Sequence, residues 1–140
     1  MRIWNWLTSL LATWRTKLFP PRSLGQRGEL LAARYLRRKG YIIIAHSHRD
    51  HFGEIDLVAV DGRTVVFVEV KTRTTQDSGH PADAVDLEKQ RRLTRAAKAY
   101  RKRHDLHEVS MRFDVIAITW PADNRQPVIE HFVNAFEATD

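Results

Sequence analysis

Gly53-Glu54-Ile55-Asp56-Leu57, followed thirteen residues after its aspartate by Glu69-Val70-Lys71, reads as two neighbouring strands of one hairpin. Asp61-Gly62 between them is a strong turn signal, with strands over residues 54–60 and 64–71, the second ending at Thr72-Arg73. The Val65-Val66-Phe67-Val68 run is apolar on both faces, as a central strand should be. Side chains alternate across a strand, so Glu69 and Lys71 project from one face. By the same alternation Asp56 is expected to point away from the face of Ile55 and Leu57. Charges at the end of so apolar a strand cost free energy unless something pairs with them.

Upstream, Ser23 with Gln26 three residues later forms a capping box for a helix running to about Lys39 and stopping at Gly40. Leu24, Leu31, Tyr35 and Leu36 supply its apolar side. Residues 41–48 are β-branched and aromatic, hence a strand. Downstream, residues 74–80 read as a polar loop. Pro81 suits the first turn of a second long helix that extends to about His104, with Val85, Leu93, Ala96, Ala97 and Tyr100 on its inner stripe. Residues 113–120 and 128–133 are the last two strands. The order α-β-β-β-α-β-β predicts an α/β sandwich around a mixed sheet. Residues 23–140 form one domain, with no internal repeat and no low-complexity segment.

At 140 residues and net charge +6 the chain fits a single core and a polyanionic partner. It has no cysteine, which excludes a disulfide framework and a thiolate metal site and suits a reducing cytoplasm. Residues 1–22 make a separate N-terminal extension, basic and without an acid, ended by Pro20-Pro21. Ile3, Leu7, Leu10, Trp14 and Leu18 recur there at helical spacing. Packing on this domain or a partner is the favoured reading. The alternative is a membrane-surface contact through residues 1–19, resting on Trp4, Trp6 and Trp14 beside basic residues.

Two carboxylates and a lysine on one sheet surface are the minimum for holding magnesium beside a phosphodiester. Magnesium takes one or two carboxylates plus water and phosphate oxygens. Asp56 and Glu69 are the candidates, with the Val70 carbonyl as a third oxygen and Lys71 to orient water or neutralise phosphate charge. The competing readings are a solvent-facing acid for Asp56 and a structural ion pair of Glu69 with Lys71 or Arg73. Glu29 lies at the margin of the first helix's buried face and is either a further ligand or a first-turn acid favourable to the helix dipole. Lys89 falls on the inner stripe of the second helix and either snorkels or reaches a phosphate. Arg73 and Arg92 are expected nucleic-acid contacts. His46, His48 and His51 have a spacing that suggests zinc only weakly without cysteine partners. Asp114, in phase with Ile116 and Ile118, is expected to be a buried, paired acid.

Gly28-Glu29, Gly53 to Leu57, Phe67 to Arg73, Lys89 to Leu93, and Arg112-Phe113-Asp114-Val115 together resemble the YraN-like family of small bacterial proteins, over about residues 23 to 133. That family looks like a branch of the PD-(D/E)xK nuclease superfamily, related in fold to restriction endonucleases and archaeal Holliday-junction resolvases. The resemblance implies a restriction-endonuclease-like sandwich and a cytoplasmic nuclease that cuts DNA with Mg2+ or Mn2+, with a preference for branched or single-stranded structures. Asp56, Glu69 and Lys71 take the acid, acid and lysine of the motif, and Glu29 the acid of the first helix. Junction-cutting relatives pair two sites, which implies a homodimer. Ile55 replaces the motif's proline, as in this branch, and Ser47 stands where the family's asparagine is expected. The alternatives are a non-catalytic nucleic-acid-binding module on the same fold and an envelope-associated protein recruited through residues 1–19.

Overall fold

A computed structural model of the chain describes residues 22–75, 85–123 and 125–139. The N-terminal extension and the loop carrying Gly79 and Pro81, with the expectations placed on them, lie outside the described residues. Helix α1 (Leu24–Arg38) begins at Ser23, whose hydroxyl accepts the Gln26 N–H while the Gln26 side chain accepts the Ser23 N–H. It ends before Gly40, whose φ of 93° suits glycine alone.

Three antiparallel strands come next: β1 (Ile42–Asp50), β2 (Gly53–Asp61) and β3 (Thr64–Thr74). The β2–β3 connection is a tight turn with Gly62 at φ 61°, closing on the pair Asp61 and Thr64. Helix α2 (Leu87–Arg103) then crosses over to β4 (Ser110–Trp120), which runs parallel to β3, and β5 (Val128–Phe136) returns antiparallel. The sheet order is β1-β2-β3-β4-β5, with β3 in the middle, and this is the mixed α/β sandwich and element order expected. No helix among the described residues is long and apolar enough to cross a membrane.

Each face of the sheet carries one helix. Ala32, Ala33 and Leu36 of α1 pack on Leu57, Ala59, Val66, Val68, Val70, Ile116 and Ile118. Leu93, Ala96, Ala97 and Tyr100 of α2 pack on Ile55, Val58, Val65, Phe67, Phe113 and Val115. Alternation along β3 therefore divides the core, with even-numbered residues beneath α1 and odd-numbered ones beneath α2. Leu24, expected on the apolar side of α1, is more than a third exposed, and the small Ala32 and Ala33 fill the buried stripe instead. Small residues there let α1 come close. Helix α2 starts later than Pro81 suggests: Asp86 is its N-cap and accepts the Lys89 N–H at 2.9 Å. Val85, read as part of the helix, is instead a buried residue just before it.

Asp114 is the buried, paired acid expected from its phase. It is fully buried, bonded to Arg112 Nε at 3.0 Å and His131 Nε2 at 2.7 Å, and accepts the Asn134 N–H at 3.0 Å. Burial alone would raise its pKa, but the bonds from His131, Arg112 and Asn134 hold it below the ordinary aspartate value. Arg112 also reaches Asp61 at 3.0 Å and Tyr41 at 2.7 Å, tying β4 to β2 and to the start of β1. These polar groups are structural.

Gly28 decides how near α1 can lie to β3. A methyl group placed there would meet Thr72 Oγ1 at 2.1 Å. Gly28→Ala is expected to cost about 1–3 kcal/mol, as overpacking of a close contact does. Chemical denaturation is the measurement, and Gly28→Ala combined with Thr72→Ala should recover part of the loss. Equal stability of Gly28→Ala and wild type would show that the helix is not held at this distance.

Candidate metal centre

β1 and β2 both change face at one place. His46 pairs with Leu57 and His48 with Ile55, leaving Ser47 and Asp56 between these rungs. Ser47 has a φ of 46°, in the left-handed region where asparagine and glycine are at home and serine is uncommon. His46 consequently meets Arg37 of α1, whereas the ring of His48 lies edge-on to Tyr100 of α2. On β2, Leu57 joins the core beneath α1 and Ile55 the core beneath α2. This corrects the expectation that Ile55 and Leu57 share a face with Asp56 pointing away from both. Asp56 sits at the switch between the two layers.

The β2–β3 ladder stops at the pair Leu57 and Val68, one residue short of Asp56 and Glu69. Beyond it the Val70 N–H donates to Asp56 Oδ2 at 2.8 Å, so a side chain replaces the missing backbone partner. A strand residue directs its N–H and its C=O to the same side. The Val70 carbonyl therefore faces the β2 side as well. Glu69, on the α2 face, is only 5 % exposed and close enough to Asp56 to act on its carboxyl. From the other layer comes Glu29 of α1, which accepts the Ser47 hydroxyl at 2.9 Å. Ligand oxygens of Glu29, Glu54 and Asp56 all lie within 4.8 Å of one another.

Asp56 thus has three carboxylates around it, Glu29 and Glu54 in one close group with it and Glu69 acting on it from the α2 face. Burial is the largest cause raising the Asp56 pKa, followed by the charge of Glu69; Glu29 adds to it and the Val70 N–H opposes it. The result is a carboxyl pushed up to about 8. Glu54 is the residue that the sequence reading passes over. Its place two residues before Asp56 was the available signal, because strand alternation carries both to one side. Arg49 partners Glu54 at 2.9 Å but is largely solvent-exposed, so this pair contributes little.

Gly53, Glu54, Asp56, Glu69, Lys89, Arg92 and Leu93 line an open cleft of about 200 Å³. Metabolite pockets commonly run to about 300–1,000 Å³, so this one suits an ion with its waters and a single passing phosphate better. Lys89 is ion-paired with Glu69 Oε1, and Arg92 is exposed beside it. Lys71 lies two residues beyond Glu69 on β3, half-buried, with no ion-pair partner among the described residues, and it does not line the cleft. Arg73 donates to Thr119 Oγ1 of β4 at 3.2 Å, also outside the cleft. His46, His48 and His51 diverge: His48 lies 3.8 Å from Asp50, and His51 stacks on Phe52.

The raised Asp56 pKa has a testable sign. An unfolded aspartate loses its proton near its ordinary value, whereas the folded one keeps it up to about pH 8. The resulting penalty on the metal-free fold is absent in acid, grows as pH rises, and is complete above about pH 8. Asp56→Asn is isosteric, keeps an acceptor for the Val70 N–H, and removes that penalty. Melted in EDTA, this variant should exceed wild type by a margin that widens from about pH 5 to above pH 8. A margin that is flat or reversed would mean that the carboxyls do not crowd.

Comparison with known proteins shows the family of the chain. The model of uncharacterised protein family UPF0102 matches residues 28–118, a span that runs from Gly28 and Glu29 through Asp56, Glu69, Lys71 and Lys89. A UPF0102 protein of Rhodopirellula baltica is 53% identical over 118 residues, covering 82% of this chain and 71% of its own. One from Chlorobium limicola is 49% identical over 120 residues, covering 83% and 93%. Another, from Geobacter sulfurreducens, is 53% identical over 114 residues, covering 81% and 88%. The residues that read as YraN-like therefore lie in a shared sequence, and the chain belongs to family UPF0102.

Proposed function

We propose that this chain is a divalent-metal-dependent nuclease that hydrolyses DNA phosphodiester bonds, with Mg2+ or Mn2+ held at Asp56 and Glu69. The observation that carries the reading is that Glu54, Glu69 and Asp56, the last pushed up to about 8, line one cleft open to solvent, with Glu29 close to Asp56 and Glu54. Like charges so arranged are stabilised by a cation. The donors are all hard oxygens, which suit magnesium or manganese, while the histidines turn elsewhere and no cysteine exists.

Asp56 and Glu69 would be the protein ligands, joined by the Val70 carbonyl on the same side. Glu29 would hold a water of the ion or a second ion. A bound ion supplies a Lewis acid for the phosphoryl oxygen and lowers the pKa of water beside it. The remaining work falls to the chain itself. Lys71 leaves β3 on the face of Glu69, where its ammonium would offset charge growing on the phosphate. Arg92 stands at the cleft wall, and the exposed basic residues of α2 continue away from it, a surface suited to a nucleic-acid backbone. Arg73, braced on Thr119, serves the same strand at the end of β3. Branched or single-stranded DNA is the favoured substrate, because an open cleft with no base-reading element among the described residues selects shape. A cytoplasmic setting fits this reading, and pairing of two such sites in a homodimer would suit a branched substrate.

Incubation with branched, flapped and single-stranded DNA in Mg2+ or Mn2+ tests this. Cleavage is expected, and Asp56→Ala, Glu69→Ala and Lys71→Ala should each reduce it about 100-fold or more. Cutting that persists in Asp56→Ala would place the activity elsewhere. Salt-sensitive binding without any cutting would instead support the non-catalytic binding module.

A further inference from the structure

Lys89 occupies the first turn of α2, three residues after the N-cap Asp86. A helix N-terminus carries partial positive charge, so the helix itself disfavours a lysine there. What holds the residue is its partner across the cleft, Glu69, whose side chain is only 6% exposed. The start of α2 is fixed on the core by buried Val85, whose carbonyl accepts Gln90 Nε2 at 3.0 Å. The backbone of Lys89 is thus anchored, while its long stem, about a third exposed, lets the ammonium swing.

We infer that Lys89 is the resident counter-ion of the cleft: its ammonium holds Glu69 until a divalent cation takes that carboxylate, and is then released to a substrate phosphate. This rests on the function proposed above. An ammonium and a dication on one buried carboxylate repel each other strongly, so the two occupancies compete. The choice of lysine fits the task, since a compact charge on a flexible stem changes partner more easily than a guanidinium fork. Cation and nucleic acid then favour each other's binding, because the phosphate gains its lysine only when the cation arrives, and such coupling is reciprocal. Lys89 is a positioning residue in this scheme and takes no part in bond breaking.

The test uses the full chain, with Mn2+ titrated calorimetrically and melting followed in EDTA and in saturating Mn2+. Lys89→Met keeps most of the apolar stem and should bind Mn2+ roughly 10-fold more tightly than wild type. It should melt below wild type in EDTA, where Glu69 is left unpaired, and the deficit should close in Mn2+. Lys89→Arg should stay near wild type in both. Unchanged Mn2+ affinity in Lys89→Met, or a deficit that survives Mn2+, overturns the inference and marks the pair as a strut between α2 and β3. Wild-type Mn2+ binding that Asp56→Asn abolishes and Lys89→Met leaves unaltered overturns this inference alone. Absence of Mn2+ binding by wild type overturns it together with the proposed function.

Discussion

The Val70 N–H bond to the Asp56 carboxylate replaces a rung of backbone pairing at the point where β2 and β3 part. With that bond in place, the aspartate is held against its own electrostatic preference, beside Glu69 and within reach of Glu29. A carboxyl so confined either keeps a proton or shares a cation. The first keeps the fold intact without a ligand, and the second gives the cleft a chemical use.

Both helices converge on this point for reasons that lie in the sheet. β3 is central and apolar, so each of its faces needs a cover, and α1 and α2 supply one each. Gly28 lets α1 approach closely enough for Glu29 to reach the switch point. The Asp86 cap starts α2 where its first turn overhangs Glu69. Glu29 and Lys89, far apart in sequence, therefore approach the Asp56–Glu69 pair from opposite sides of the sheet, Glu29 beside Asp56 and Lys89 on Glu69. Ser47, with its left-handed backbone, donates its hydroxyl to Glu29 at that point.

Much of this was legible in the chain, because local chemistry and tertiary structure agree there. The Ser23–Gln26 box, Gly40, the Asp61-Gly62 turn and the doubly apolar Val65 to Val68 run each specify an element through backbone geometry or burial. Asp56 and Glu69 stood out for the same reason, as charges in strands otherwise made for a core. What could not be read depends on departures from regular alternation. Nothing in a period-two pattern announces that Ser47 is left-handed, and without that kink Ile55 and Leu57 belong on one face. Glu54 was within reach of the same pattern, two residues before Asp56 on its side of the strand, and was passed over. The partner of Lys89 was hidden because helix and strand meet only in the fold. Lys89 could be placed on the inner stripe, but its partner is set by where α2 begins, and Pro81 pointed to an earlier start than Asp86 gives.

Crystals soaked in manganese, with anomalous scattering recorded at the metal edge, interrogate the central claim directly. A peak bonded to carboxylate oxygens of both Asp56 and Glu69, with Lys89 turned away from Glu69, is the result expected. Strong manganese peaks confined to other carboxylates, with none at Asp56 and Glu69 and Lys89 still paired with Glu69, would contradict it.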